Sequence, residues 1–322
     1  MIMKIGIDCR MFGLKHAGSG RYIKNLVESL LKIDQQNKYV LFVRKDFPLN
    51  SFLKKNVELV VAEAEHYSLK EQFLLPWLIY KSKVDLMHFP QFNLPIFYFG
   101  KQVVTIHDLI KHDFRGTATT TKNPLIYWFK YLGYLIVFNT AIRRSQKIIV
   151  PSKTIALQLK EKFKVPGNKL EVTYEGVDDQ LKSMVGEAKT KDLLEKYKIE
   201  SPFLLYVGSV YPHKNIINLI KAVKILNGSV TGGQWLAASG QLPVSPKTLI
   251  QDGPATNYQP PITLIIICAR SFFWNRLKKE IKNSEAEKLV NLIGFVEDEE
   301  LRVFYNEAEA FIFPSFSEGF GL

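Results

Sequence analysis

Two glycine-containing segments lie where a strand pattern gives way to a helix pattern, the place where phosphate groups bind in α/β proteins. In the first, Gly18 and Gly20 stand between an apolar run at 3–8 and a helical pattern at 21–33. Glycines let the backbone approach a ligand closely, and a helix N-terminus favours an anion. The alternative is that these glycines make an ordinary turn.

The second segment runs from Gly208 to Asn215, follows an apolar run at 203–207 and opens another helical pattern. Gly208 permits a turn. Lys214 stands where a flexible ammonium group could meet a diphosphate beside a helix N-terminus. The segment lacks the G-x-x-x-x-G-K-[ST] spacing of a Walker loop, and a lysine on a surface turn is the alternative.

Two further residues could recognise hydroxyl groups. His107 follows the run 103–106, where a histidine can bind or polarise a substrate hydroxyl, although neighbouring backbone groups would satisfy it equally well. Glu318 follows the run 310–313 and could accept hydrogen bonds from a sugar. The glycines after it would expose backbone N–H groups, with a plain loop as the alternative.

These segments need elements that bring their strand ends together. Short apolar runs alternate with longer helical patterns, which predicts parallel sheets with crossover helices. The predicted strands are 3–8, 39–43, 57–61, 86–89, 103–106, 147–150, 170–173, 203–207, 262–268, 289–293 and 310–313. The predicted helices are 21–33, 69–80, 124–142, 151–163 with Ser152 as N-cap, 215–226, 274–282 and 298–305. Ligands of open parallel sheets bind at the carboxyl ends of the strands, so all four segments are expected at such edges.

The pattern restarts near Gly176, which predicts one domain at 1–176 and a second at 177–322, joined by the charged segment 178–198. Residues 228–261 are rich in Gly, Pro, Ser and Gln and have no clear period. A loop this long is unusual in a compact α/β domain, so we interpret it as an insertion. A sequence irregularity and a lid are the alternatives.

The composition is that of a basic globular protein. With 43 Lys and Arg against 31 Asp and Glu, the formal net charge is +12. Such an excess favours polyanions, and an anionic membrane surface ranks first among them. Nucleic acid ranks below simple solubility, because we find no zinc-finger, basic-zipper or RNP pattern; we therefore expect no nucleic-acid partner.

One helical pattern and two cysteines bear on location. The run 124–142 is nearly long enough to span a bilayer, but Lys130 and Asn139 interrupt it. A buried helix ranks first, a helix on the membrane surface second and a true span last. Cys9 and Cys268 are too far apart in sequence to suggest a disulfide framework, and the N-terminus shows no signal-peptide pattern. We expect a cytoplasmic protein, peripheral at the inner face of the membrane.

Taken in order, the segments resemble the family 4 retaining glycosyltransferases of the GT-B fold. The matching stretches are GIDCRMFG with GSGRYIKNL, TIHDLI, VPSKTIALQLKEKF, VTYEGVD, LLYVGSVYPHKN, and NLIGFVEDEELRVFYNEAEAFIFPSFSEGFGL. The resemblance covers nearly all of the chain except 228–261. It implies two Rossmann-like domains facing across a cleft, the N-terminal one holding the acceptor and the C-terminal one the nucleotide sugar.

The resemblance also implies roles for individual residues. Gly18 and Gly20 would lie near the donor phosphates, and Lys214 would neutralise the diphosphate leaving group. His107 would contact the transferred sugar near its reacting carbon. The remaining implied donor contacts are Ser209, which replaces a common Arg and gives only a hydrogen bond, Glu318 as the first Glu of an E-x7-E pair, and the backbone of Gly319, Phe320, Gly321 and Leu322. His107 and Glu318 take the catalytic positions.

The activity so implied is transfer of a hexose from a UDP- or GDP-sugar to a lipid-linked or polysaccharide acceptor, with retention at the anomeric carbon. No cofactor or metal is implied. The opening segment resembles mannosyltransferases, which favours a mannose-like donor in cell-envelope glycan synthesis. The second Glu of the pair would fall at position 326, so the second domain is expected to be incomplete. The alternatives are a catalytically impaired, truncated homologue that binds a membrane or a partner, and a GT-B sugar-nucleotide epimerase.

Overall fold

A computed structural model of the chain describes residues 2–13, 17–52, 54–114, 124–176, 186–232, 261–268 and 272–320. The chain forms two compact units. The first comprises Met1–Val177 together with Glu318–Leu322, and the second comprises Asp178–Ser317. Each unit is built on a parallel sheet with helices on both faces.

The described elements alternate between strand and helix along most of the chain. In the first unit they are β1 Lys4–Asp8, α1 Ala17–Ile33, β2 Lys38–Val43, β3 Val57–Val61, α2 Leu69–Ser82, β4 Leu86–Phe89, β5 Gln102–Thr105, α3 Ile110–Asp113, α4 Pro124–Arg144, β6 Lys147–Val150, α5 Lys153–Phe163 and β7 Leu170–Val172. In the second they are α6 Glu187–Tyr197, β8 Phe203–Val207, α7 Ile216–Gly232, β9 Thr263–Ile267, α8 Phe272–Asn283, β10 Val290–Ile293, α9 Asp298–Glu307 and β11 Ala310–Phe311.

The first sheet has the order β3-β2-β1-β4-β5-β6-β7, with all neighbouring strands parallel. Alternate residues of β2 point to opposite faces: Phe42 joins the core beneath α2, α4 and α5, and Leu41 joins the core beneath α1. From β1 the chain proceeds outwards through β2 and β3, and then crosses to β4 on the other side. The gap between β1 and β4 is therefore the topological switch point of this sheet, where open α/β sheets bind ligands.

The second sheet has the order β10-β9-β8-β11, again all parallel. Helices α7 and α8 cover one face through residues such as Ile220 and Trp274, and α6 and α9 cover the other through Leu193 and Phe304. The chain runs outwards from β8 through β9 and β10 and returns to β11 on the other side of β8. The switch point of this sheet therefore lies between β8 and β11.

The predicted α/β class and the predicted strands are confirmed, most of them to within one residue at each end. The N-cap at Ser152 is confirmed as well, since its hydroxyl accepts a hydrogen bond from the Ile155 N–H. Both features depend on residues close together in the chain. Local pattern is therefore a sufficient guide to them.

Two predicted helix boundaries were wrong. Helix α1 begins at Ala17 rather than at residue 21, and α7 continues to Gly232, into the segment interpreted as an insertion. Residues 233–260 of that segment lie outside the described part. The charged connection 178–198 contains helix α6, because Leu193 and Tyr197 recur at helical spacing; Leu193 is buried, and Tyr197 packs on Phe304 of α9.

Candidate functional site

The switch point of the second sheet is formed by the loops that follow β8 and β11. Gly208, the first residue after β8, has φ +147, in the region that favours glycine. A Cβ at this position would stand 3.1 Å from the Tyr206 hydroxyl. That hydroxyl donates to the carbonyl oxygen of Ser209 at 2.6 Å and so holds the turn, while the Ser209 side of the loop is exposed.

Lys214 ends a short 3-10 turn at Pro212–Lys214, two residues before α7 begins. Asn215 follows in the left-handed conformation with φ 62, which redirects the chain into the helix. The half-buried Lys214 ammonium lies 5.6 Å from the ring centroid of Phe313, just past β11. A lysine next to the N-terminus of a 17-residue helix adds full charge to the partial positive charge of the helix end.

Hydrogen bonds tie the loop after β11 to the loop after β8. The side-chain amide of Asn215 donates to the Pro314 carbonyl at 3.2 Å, and the Phe316 N–H donates to the His213 carbonyl at 2.9 Å. The structure thus brings the loop after β8 and the loop after β11 together around one strand edge. Sequence order alone separates them by about a hundred residues.

A cavity of about 280 Å³ opens beside this edge. It is lined by Tyr211 and Asn215 from the loop after β8 and by Phe273 and Arg276 from α8. Lys214 is not among the residues that line it.

His107 follows β5 in the first unit, and protein groups engage both of its ring nitrogens. Nδ1 lies 3.0 Å from a carboxylate oxygen of Glu175, and Nε2 lies 2.8 Å from the carbonyl oxygen of Pro90. The Tyr22 ring packs edge-on against the imidazole at 4.6 Å. These contacts hold the ring in place after β5 and leave both sequence-based alternatives open. Its predicted contact with a sugar stays a prediction.

The glycine pair at 18 and 20 does not form the predicted loop before α1. Both residues lie in the first turn of that helix. This correction keeps the argument for anion binding, because the first four N–H groups of a helix have no acceptor within it. Gly18 is exposed and a Cβ there would meet open space, whereas Gly20 is buried and accepts from the Gly13 N–H at 3.2 Å.

The segment after Ser317 groups with the first unit. A Cβ on Gly319 would overlap the carbonyl oxygen of His107, so only glycine allows this approach. The Ser152 hydroxyl donates to the Gly319 carbonyl at 2.8 Å, and the Phe320 ring lies 6.2 Å from that of Tyr174. Glu318 is half-buried, and its predicted sugar contact stays a prediction. Gly321 and Leu322 lie outside the described residues.

A buried ionic cluster lies at the switch point of the first sheet, and sequence reasoning missed it. Arg10 donates through Nε and one terminal nitrogen to both carboxylate oxygens of Asp8, at 2.8 and 2.7 Å. The same terminal nitrogen reaches Glu71 of α2 at 2.6 Å, and the other donates to the Ala64 carbonyl at 2.9 Å. Glu71 also accepts from Asn93 at 2.8 Å.

The pKa values of the two carboxylates in this cluster shift in opposite directions. Burial would raise the pKa of Asp8, but the charge and hydrogen bonds of Arg10 outweigh it and leave that pKa below its ordinary value. Burial raises the pKa of Glu71, and Arg10 offsets this only in part. The signal in the sequence was the alternation of Asp8 and Arg10 at a strand end. Nothing local pointed to Glu71, which is 61 residues from Arg10.

A second buried group joins β4 to β5. His88 Nε2 lies 2.9 Å from the hydroxyl oxygen of Thr105, which in turn lies 3.3 Å from the Tyr22 hydroxyl. Burial, with the nearby charge of His107, lowers the pKa of His88 to about 4. His88 is therefore a neutral structural residue at physiological pH.

The two cysteines are buried and do not form a disulfide. The Cys268 side chain packs in the core with Trp274 and Leu277. Burial raises the pKa of the Cys268 thiol to about 12, and burial together with the Asp8 charge also raises that of Cys9. Neither thiol is suited to act as a nucleophile.

Comparison with known proteins gives the family. Residues 17–181 match the model described as Glycosyltransferase Family 4, and residues 189–322 match that of Glycosyl transferases group 1. O-antigen chain mannosyltransferase RfbU of Salmonella typhimurium is 22% identical over 69% of this chain and 47% of its own length. O-antigen chain mannosyltransferase B of Escherichia coli is 24% identical over 85% of this chain and 61% of its own length. The chain thus spans about half to three-fifths of these relatives.

The crystal structure of Anabaena Alr3699/HepE in complex with UDP and glucose matches with a TM-score of 0.62 and 15% identity, over 99% of this chain and 76% of that one. This likeness concerns the fold and, with the family models, confirms the predicted GT-B class. Since the first model covers more than half of the residues, the chain belongs to glycosyltransferase family 4.

Proposed function

We propose that this chain is a retaining glycosyltransferase that moves a hexose from a UDP- or GDP-sugar to a lipid-linked or polysaccharide acceptor in cell-envelope glycan synthesis. One observation carries the proposal. Lys214 stands at the carboxyl edge of β8, next to the strand order reversal at β11 and just before the N-terminus of α7. A diphosphate placed there meets an ammonium group and a helix end together.

The chemistry needs such a site because the bond to the diphosphate breaks during transfer and leaves negative charge on the leaving group. Fixed positive groups aimed at that charge stabilise the transition state more than the ground state. Lys214 is held near Phe313, and the loop is fixed by the bonds of Asn215 and Phe316. The site is therefore organised before the donor binds.

Gly18 is a separate candidate for a phosphate contact, within the first unit. It is exposed in the first turn of α1, and neither packing nor a positive φ requires a glycine there. Close approach of a ligand to the backbone of the first helical turn would account for it.

The proposal for the donor sugar rests on the names of the relatives. Two of them are named O-antigen mannosyltransferases, which favours a mannose-like donor, whereas the HepE structure contains UDP and glucose. Incubation of the chain with radiolabelled GDP-mannose, UDP-glucose and UDP-galactose separates these. We expect label to move from one of them to a membrane-derived acceptor or to water. Consumption of none by folded protein would contradict the proposal.

The competing function is a membrane- or partner-binding homologue without turnover. The exposed apolar side chains of α4 favour it, because they provide a binding surface whether or not sugar is transferred. Nucleotide binding separates the two functions, since a module without turnover need not bind a sugar nucleotide.

A further inference from the structure

Helix α4 packs only one of its sides against the first sheet. Tyr134, Phe138 and Ala141 lie in the core, so the helix cannot leave the domain without unfolding it. Among the described residues, one helix, Leu125–Arg144, is long and apolar enough to cross a membrane by length and composition, and 22% of its apolar 18-residue window is buried. Its packed side makes it a helix of the domain surface rather than a span.

The opposite side of α4 is an exposed apolar stripe. Leu125, Trp128, Phe129, Leu132 and Ile136 recur at helical spacing, and Phe129 is 79% exposed. Exposed apolar stripes of this kind on a soluble protein mark an interaction site.

Helix α2 carries a similar stripe on the same face of the sheet. Leu69, Phe73, Trp77 and Tyr80 follow one another at helical spacing, and Leu69 is 82% exposed. Leu75 and Ile79 on its other side enter the same core as α4. Both helices therefore expose large apolar side chains while sharing one core.

The segment 96–99 joins the two helices. Phe97 stacks on Phe73 at 5.0 Å, and the Phe99 N–H donates to the Tyr80 hydroxyl at 2.9 Å. From α4, the Arg144 guanidinium donates to the Ile96 carbonyl at 2.6 Å and lies 4.6 Å from the Phe99 ring centroid. We call α2, the segment 96–99 and α4 together the aromatic face.

The charges on the aromatic face have one sign. Exposed Lys70 and Lys81 belong to α2, and exposed Lys130, Arg143 and Arg144 belong to α4. The only acidic residue in these two helices is Glu71, which is buried on Arg10. The Lys81 ammonium lies 5.1 Å from the Trp77 ring, the arrangement of a long cation whose stem lies along apolar surface.

We propose that the aromatic face docks on the surface of an anionic phospholipid bilayer. Trp, Tyr and Phe side chains enter the region between headgroups and acyl chains, with α2 and α4 lying along the surface. The lysines and arginines contact lipid phosphates, each contributing attraction that salt screens. A protein partner of ordinary composition would not account for the absence of exposed acidic residues from α2 and α4.

Vesicle co-sedimentation of the full chain tests this. Wild-type protein is expected to bind phosphatidylcholine–phosphatidylglycerol vesicles at 3:1, with affinity falling at least tenfold on pure phosphatidylcholine or on raising the salt. Trp128→Ser with Phe129→Ser, and separately Phe73→Ser with Trp77→Ser, should each lower affinity for the anionic vesicles at least tenfold. All four side chains are exposed, so circular dichroism should show native folding.

Two controls match these changes. Ile33→Ser alters a residue that is 80% exposed at the end of α1, on the opposite face of the sheet, and should bind as wild type. Lys130→Gln with Arg143→Gln should weaken binding to anionic vesicles more than Lys278→Gln with Lys279→Gln, which alters two exposed lysines of α8.

Equal binding of the serine variants and wild type would overturn the proposal, as would equal binding to both vesicle types. A dimer in light scattering that the Trp128 and Phe129 changes dissociate would also overturn it, because a second copy would then occupy the face. Vesicle binding requires no turnover. Its failure would leave the proposed transfer reaction standing, and loss of transfer would leave the docking surface standing.

Discussion

Nδ1 of His107 lies 3.0 Å from Oε1 of Glu175, which fixes the orientation of the imidazole at the end of β5. Both residues are shielded, with about a fifth or less of each side chain exposed. The other ring nitrogen faces the Pro90 carbonyl, so both partners are acceptors. A neutral imidazole carries one N–H, whereas the protonated ring donates to both.

Replacing Glu175 by Gln should therefore loosen His107 without removing it. A hydrogen bond to a charged carboxylate contributes about 1.5–3 kcal/mol, so kcat for sugar transfer should fall by roughly 10- to 100-fold if His107 acts in the proposed reaction. KM for the donor is expected to change much less, because Glu175 contacts the ring of His107. Steady-state kinetics of Glu175→Gln measure both, with Glu171→Gln, an exposed residue of β7, as the matched control. Identical kinetics for the two variants would show that the pair has no part in catalysis.

Removal of Arg10 should destabilise the first unit severely. Arg10→Met leaves Asp8 and Glu71 buried without their shared cation, which costs about 3–5 kcal/mol. Urea unfolding should show a transition far below that of wild type, or the variant should fail to accumulate as folded protein. Arg143→Met changes an exposed arginine and should unfold at the same urea concentration as wild type. Coincident transitions for both variants would mean that the cluster adds nothing to stability.

Acid should weaken the fold through His88. Its pKa is about 4 in the folded protein against 6.5 ordinarily, so between these values the unfolded chain binds a proton that the native state does not. The contribution of neutral His88 to the free energy of unfolding is therefore fully present above about pH 6.5. It falls by about 3 kcal/mol as the pH is lowered to 4. Urea titrations between pH 7 and 4.5 should show a smaller decline for His88→Gln than for wild type. Equal declines in the free energy of unfolding for the two proteins would contradict the lowered pKa of His88.

Gly208→Ala tests the turn after β8. The positive φ and the nearby Tyr206 hydroxyl should make alanine unfavourable by about 1–3 kcal/mol and lower the thermal midpoint. Gly133→Ala should instead raise the thermal midpoint. Gly133 lies within α4, a Cβ there would meet open space, and alanine favours a helix. Calorimetric melting of both variants is the measurement. A raised midpoint for Gly208→Ala would show that the loop is not constrained as described.

The sequence predicts the features that depend on neighbouring residues. Strand β6 and the Ser152 N-cap are local, and the family resemblance further placed Lys214 at the start of the second sheet. Side-chain partners distant in the chain were not predictable. Glu175 is 68 residues from His107, and no periodicity connects them.

Helix boundaries failed where propensity conflicts with position. Gly18 and Gly20 disfavour a helix interior, which suggested a start at residue 21, yet the first turn tolerates glycine. The sequence of α6 resembles a linker because it is mostly polar and contains few apolar residues. Leu193 and Tyr197 form a helix there because α9 supplies the surface on which they pack.

The proposed function requires a nucleoside diphosphate to bind at Lys214. Titration calorimetry with UDP and GDP should show binding of one of them to wild type and to Lys221→Ala, an exposed lysine farther along α7. Lys214→Ala should bind that nucleotide about 10- to 100-fold more weakly, because a charged contact to the diphosphate is lost. No binding of either nucleotide by folded wild-type protein, or equal affinities for the two lysine variants, would contradict the account.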